Sequence, residues 1–157
     1  MSADPDDHDP TPRPNVAFGS EPARKLLFLC VHNSARSQMA EALARTFAPP
    51  DTQIWSAGSE PTEVHRLAVE VMKEVGLDLS DHRSKSVDDV PWREADTIVT
   101  VCAEADEKCP VVPSSVRRVR WLLPDPVAVP EPDRLRAFRQ TRDELRWRVS
   151  CLWPRGD

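Results

Sequence analysis

Cys30 and Arg36 are separated by five residues in CVHNSAR, where a short apolar run, Lys25 to Leu29 (KLLFL), gives way to helix-compatible sequence. A loop that leaves a buried strand and opens a helix can turn its backbone N–H groups around a tetrahedral oxyanion. The helix dipole then adds positive potential. Arg36 offers a planar fork of donors to the same anion. A free thiol has a pKa near ~8.5, which a helix N-terminus and an adjacent Arg lower to roughly 3.5–7.5. Cys30 is thus placed to be a thiolate nucleophile, and Val31, His32, Asn33, Ser34, Ala35, Arg36 and Ser37 form the candidate oxyanion-binding loop. The loop has no Gly, so Asn33 is the residue expected to take a positive φ. Ser34 and Ser37 can donate hydrogen bonds, Ser37 to the thiolate itself. His32 fits either the pocket rim or a solvent-facing loop. The competing reading of Cys30 is a small buried hydrophobe, the usual fate of a free Cys.

Two further thiols, Cys102 and Cys109, are separated by AEADEK, and Pro110 follows. Structural zinc favours C-x2-4-C pairs matched by a second pair or by His, and the four His sit at no such spacing, so no metal site is expected. Two readings remain open: a transient disulfide formed as the acidic, helix-compatible segment bends, or two unrelated thiols. Cys151, in the final helical stretch, is expected only to pack.

The elements that must position these groups alternate. Strands are expected at Lys25 to Leu29, Thr52 to Ala57 and Asp96 to Cys102, with a short one at Arg117 to Trp121. Between them, SQMAEALARTF from Ser37 has helical spacing and is ended by Pro49–Pro50. His65 to Val75 repeats Leu67, Val71 and Val75 on one face, with Gly76 as C-cap. A last helix spans about Asp133 to Leu152, its many Arg residues read as a solvated face. This alternation predicts a three-layer α/β domain with a parallel sheet, whose site lies at the carboxyl ends of the strands. Cys30 and Cys102 are both expected at such ends.

The chain has 157 residues, 39% of them hydrophobic, enough for one core. Residues 1–22 carry five acids against one Arg and five Pro, and are expected to be a disordered acidic tail, leaving 23–157 as the catalytic domain. That tail contributes -4 of the net charge of -5. With no basic surplus, no nucleic-acid partner is expected; RRVR, Arg117 to Arg120, is read as a strand edge. No run approaches the ~18 apolar residues of a membrane span, so no membrane partner is expected and the location should be cytoplasmic. Trp121 and Trp147 are read as packing residues.

CVHNSARSQMAEA resembles the phosphate loop of the low-molecular-weight protein tyrosine phosphatase superfamily, and more specifically of its thioredoxin-coupled arsenate reductases. The likeness continues through SAGSEPTEVHRLAVEVMKEVGLDLSDHRSKS, VTVCAEADEKCP and WLLPDPVA, over about residues 25 to 150. It implies a four-stranded parallel sheet flanked by helices, with arsenate held in the loop and phosphate or sulfate competing. It also implies roles for the three thiols. Cys30 forms a thiol–arsenate adduct, Cys102 attacks Cys30 as arsenite leaves, and Cys109 resolves a Cys102–Cys109 disulfide that thioredoxin reduces. No bound cofactor is implied, and mycothiol or glutathione are alternative reductants. Asp125 in LPDPVA reads on sequence as a turn residue before Pro126; the resemblance makes it the general acid. The chain has no Tyr, which argues against phosphotyrosine while leaving weak aryl phosphate hydrolysis open. Some relatives bind potassium through an acid in the segment matching SDHRSKS, where this chain has Lys85, an ammonium that can stand in for the ion or an exposed side chain with no role. A low-molecular-weight phosphatase and an oxyanion-binding redox sensor are the alternative functions.

Overall fold

A computed structural model describes residues 22–107 and 113–154; the acidic tail up to residue 21 and Cys109 lie outside the described residues. Four strands, β1 (Lys25–Cys30), β2 (Gln53–Gly58), β3 (Thr97–Thr100) and β4 (Arg117–Arg120), form one sheet in the order β2-β1-β3-β4. All three pairings are parallel. The helices are α1 (Arg36–Phe47), α2 (Arg66–Glu74), the short α3 (Ala103–Glu107) and α4 (Arg134–Ser150). This is the four-stranded, helix-flanked arrangement expected, with boundaries moved by at most two residues.

Leu26, Leu27, Phe28 and Leu29 are buried because β1 is an inner strand, which is why KLLFL does not alternate. Met39 and Leu43 of α1 and Phe138, Leu145 and Val149 of α4 join them in the core. Trp121 packs on Phe28 at 6.2 Å between ring centroids, as expected. Trp147 does not pack: two residues from both Leu145 and Val149, it falls on the opposite side of α4 and is 38% exposed. The arginines of α4 are not all solvated either. Arg142 is buried and donates to the Val71 carbonyl (2.9 Å) and to Glu74 (2.7 Å), while Arg139 pairs with the same carboxylate, fastening α4 to the end of α2.

β4 is the expected sheet edge, but its charges are only partly solvated. Arg118 and Arg120 each reach Asp106 at 2.9 Å, and Thr100 donates to the same carboxylate at 3.1 Å. The segment after Cys102 is thereby hitched to both β3 and β4. Among the described residues no helix is long and apolar enough to cross a membrane.

Candidate active site

The loop after β1 orients its peptides in one sense. The carbonyl of Val31 accepts from Glu60 N (2.8 Å), that of His32 from Thr62 N (3.3 Å) and the Ser84 hydroxyl (2.7 Å), that of Asn33 from Gln38 Nε2 (3.0 Å), and that of Ser34 from His65 N (2.9 Å). Each C=O is thus tied to a neighbour outside the loop. In a planar trans peptide the following N–H points the opposite way. The amides of His32, Asn33, Ser34 and Ala35 therefore face inward, and among the described residues none of them donates to a protein acceptor. Buried N–H groups are almost always paired in folded proteins, so this row of unsatisfied donors at the start of α1 is a seat for an anion.

Asn33 holds the turn. Its φ is +50°, as expected of the loop's one amide side chain. Its Nδ2 donates to Ser37 Oγ (2.8 Å) and Ser56 Oγ (3.0 Å), and its Oδ1 accepts from Gln38 Nε2 (2.9 Å) and Lys85 N (2.8 Å). Ser37 is fully buried beside Asn33 and does not serve the thiolate, a correction to its expected role. Gly58 at the end of β2 lies directly under the loop: a Cβ there would stand 2.3 Å from the Val31 carbonyl oxygen and 2.9 Å from Asn33 N.

Beneath the turn lies an internal charge pair. Glu41 is buried, accepts the Ser56 hydroxyl and faces Lys85 Nζ at 3.6 Å; Lys85 also donates to the Arg83 carbonyl (3.0 Å) and to Ser56 (3.4 Å). Burial pushes the Glu41 carboxyl up, but the Ser56 hydroxyl, Lys85 and Arg45 together hold it below its ordinary value. Lys85 is thus an engaged residue. Its ammonium occupies the polar hollow between Glu41, Ser56 and Arg83, so these residues do not fit a potassium ion.

The sulfurs of Cys30 and Cys102 are 3.8 Å apart, both buried. β1 and β3 are adjacent parallel strands leaving the sheet at the same end, and each delivers its thiol there. The Cys102 sulfur also accepts from Ala105 N at 3.4 Å, in the first turn of α3. The hydrogen bond between the sulfurs dominates their ionisation. It lowers the Cys102 thiol to about 6, against burial and with help from Ala105 N, Arg36 and Val31 N. The same bond, then burial, raises Cys30, which Arg36 and Val31 N draw back. One negative charge shared by the pair is the outcome, rather than the solitary Cys30 thiolate expected. In this structure Cys30 is the donor and Cys102 the acceptor of that bond, so Cys30 becomes a thiolate only when the proton passes to Cys102. Peptide-mapped iodoacetamide labelling of this pair should accordingly rise through about pH 6; a midpoint at the free-thiol value of ~8.5 would contradict the shared proton.

Arg36 Nη1 donates to the Leu123 carbonyl (2.7 Å), and its Nη2 stands 3.8 Å from Asp125 Oδ1, linking the anion loop to the LPDPVA turn. Asp125 is both a turn residue and part of the pocket wall. Its Oδ1 accepts Val127 N (3.0 Å) and caps a 3₁₀ turn over Pro126–Ala128, while the side chain lines the same pocket as Cys30. That pocket, of about 440 Å³, also takes in His32, Thr62, His65, Cys102, Glu104 and Val127. His32 is at the rim, its Nδ1 donating to the Glu60 carbonyl at 3.0 Å. Cys151 follows α4 away from this pocket, half-buried, its thiol raised chiefly by burial.

His65 was not singled out by sequence. It caps α2, its Nδ1 accepting from Leu67 N (3.0 Å), and its ring lies 4.9 Å from that of Phe138. Because Nδ1 accepts, the proton sits on Nε2, making the imidazole a fixed neutral donor in the pocket wall. Burial first, then Arg66 and Arg134, hold its pKa below the ordinary value, and Asp125 acts the other way. Urea unfolding of His65→Ala should show a loss of about 0.5–2 kcal/mol from the missing cap, and His65→Asn, a strong capping residue, should recover most of it.

A thiol on an oxyanion loop between the first strand and first helix of a parallel α/β sheet defines an enzyme of the cysteine-phosphatase type. Residues 25–154 match the low molecular weight phosphotyrosine protein phosphatase family, and the chain belongs to it. It is 41% identical over 137 residues to the arsenate reductase of Brevibacillus brevis, an alignment covering 87% of this chain and 99% of that one. A solved structure of an arsenate reductase in its oxidized state aligns with a TM-score of 0.72 and 30% identity, covering 82% of this chain and 95% of the other. The Corynebacterium glutamicum thioredoxin-dependent arsenate reductase aligns with a TM-score of 0.63 and 30% identity, covering 81% of this chain and 60% of that one.

Proposed function

We propose that the protein reduces arsenate to arsenite and is regenerated by thioredoxin, in the cytoplasm and without a bound cofactor. The observation that carries this is the row of four inward amides over Cys30, with a second thiol in contact with its sulfur. A phosphatase needs the first feature; only an oxidoreductase needs the second. Arsenate, like phosphate or sulfate, satisfies the amides of His32 to Ala35 and the Arg36 fork. Cys30 attacks the arsenic, forming an S–As bond, and the expelled oxygen takes a proton from Asp125. The Cys102 thiolate attacks the Cys30 sulfur, the S–As bond breaks, and its electron pair leaves with arsenite. Cys109 then attacks Cys102, freeing Cys30, and thioredoxin reduces the Cys102–Cys109 disulfide. The likeness to a thioredoxin-dependent relative supports that reductant over mycothiol or glutathione.

The presence of Arg36 and Asp125 with Cys30 in one pocket favours a second reading, hydrolysis of small aryl phosphates. NADPH consumption with arsenate, thioredoxin and thioredoxin reductase, run beside aryl phosphate hydrolysis, separates the two. Arsenate-dependent consumption should vanish in Cys30→Ser, Cys102→Ser and Cys109→Ser. Wild-type turnover by the Cys102→Ser protein would sink the relay, and hydrolysis lost only in the Cys30 variant, with no reduction in any, would favour the phosphatase. Inertness in both assays would leave an oxyanion-binding redox sensor.

A further inference from the structure

The contact between two buried thiols at the floor of an open pocket carries chemistry that does not require arsenic. Arsenate oxidises the pair only after the loop has bound it as an anion. A hydroperoxide is neutral and small, and asks for three things: a thiolate, a proton for the departing oxygen, and a second thiol close enough to intercept the oxidised sulfur. All three are present. The Cys30 and Cys102 sulfurs touch at 3.8 Å and share one negative charge, and Asp125 and the Nε2–H of His65 line the pocket they open into.

We propose that the Cys30–Cys102 pair also reduces hydroperoxides, forming the same disulfide without arsenate. The Cys30 thiolate attacks one peroxide oxygen; the O–O bond breaks, and the hydroxide that leaves takes a pocket proton to become water. Cys30 is now a sulfenic acid, oxidised by two electrons. Cys102 attacks its sulfur as the Cys102 proton passes to the sulfenic oxygen, the S–O bond breaks, and a second water departs. Two thiols and one hydrogen peroxide thus give one disulfide and two waters. From this disulfide onward the course rests on the relay proposed above, with Cys109 and thioredoxin completing the cycle. The closeness of Cys102 also protects Cys30, because intramolecular capture competes with further oxidation to sulfinic acid.

The test uses the full chain as Cys109→Ser, in which a Cys30–Cys102 disulfide cannot be passed on. Reduced protein is exposed to hydrogen peroxide or, in a parallel arm, to arsenate, then alkylated and peptide-mapped. Hydrogen peroxide alone should produce the Cys30–Cys102 crosslink, and inorganic phosphate in the loop should slow it several-fold. Cys102→Ser should instead accumulate dimedone-reactive Cys30 and then its sulfinic form. A crosslink with arsenate and none with peroxide would overturn this inference and leave arsenate reduction standing. A crosslink with peroxide and none with arsenate would do the reverse. Absence in both arms, or a peroxide-induced disulfide that omits Cys30, would also overturn it.

Discussion

Gly58→Ala should fold and yet lose about two orders of magnitude of arsenate reduction. An alanine methyl at this site would stand 2.3 Å from the Val31 oxygen and 2.9 Å from Asn33 N, and both are backbone atoms that cannot rotate out of the way. The loop must lift or β2 must retreat, at a cost of about 1–3 kcal/mol typical of overpacking. The catalytic penalty is larger than the stability penalty because the Val31 carbonyl is one of the anchors that turn the amides inward. A displacement of ~1 Å in such a constellation can cost about 10²-fold in rate. Urea denaturation beside steady-state kinetics separates the two effects. A variant that loses activity only in proportion to its unfolded fraction would show that the loop tolerates the methyl.

Lys85→Met should destabilise the fold, by an amount limited by the Arg45 guanidinium that stays on Glu41. Glu41, with 8% of its side chain exposed, would keep its carboxylate and lose the ammonium 3.6 Å away. Breaking one side of a buried pair costs about 3–5 kcal/mol when the remaining charge is left unpaired, whereas removing both partners is often close to neutral; Arg45 stays 2.8 Å from the Glu41 carboxylate, so the loss should fall below that range. The double variant Glu41→Gln/Lys85→Met should therefore recover more than half of the loss. The pH dependence has a definite sign. Glu41 is held below its ordinary value in the fold, so its contribution is fully present above the unfolded value of ~4.3 and disappears as pH falls through the lower folded value. Without Lys85 that lowering weakens, and the gap between wild type and variant should be widest near neutrality and narrow towards pH ~4.3. Because the chain supplies its own cation here, replacing potassium by sodium at fixed ionic strength should leave the wild-type rate unchanged. A potassium requirement would show that the ammonium does not fill the hollow.

The parts of this site that were legible in the sequence are those whose chemistry is local. Cys30, the positive φ of Asn33 and the reach of Arg36 all follow from a strand, a loop and a helix contiguous in the chain. The resemblance extended that reading to Asp125, which sequence alone left as a turn former, and the fold makes it cap and pocket wall together. What could not be read depends on partners far apart. Glu41 and Lys85 meet only because the Ser84–Lys85 stretch folds back under the loop, and nothing in either neighbourhood announces the other. His65 escaped because imidazole is not among the usual capping side chains, though its position directly before the Leu67–Val71 face was a usable signal. Ser37 was misassigned for the opposite reason. A hydroxyl one residue past Arg36 is near the thiol in sequence, but the helix turns it towards Asn33.

The contact between the sulfurs is ultimately a statement about strand alignment. β1 and β3 pair with Leu29 opposite Thr100, so Cys30 stands one residue and Cys102 two residues beyond the last paired rung, at the same end of the sheet. Sliding β3 by one residue would carry Cys102 ~3.3 Å along the strand and turn alternate side chains to the opposite face. The 3.8 Å sulfur contact on which the proposed electron exchange depends therefore rests on the ladder of Leu26 to Leu29 against Thr97 to Thr100, apolar residues and threonines with no redox chemistry of their own. A substitution that loosens this ladder, buried and remote from any substrate, would detune the thiol pair while leaving the anion loop intact.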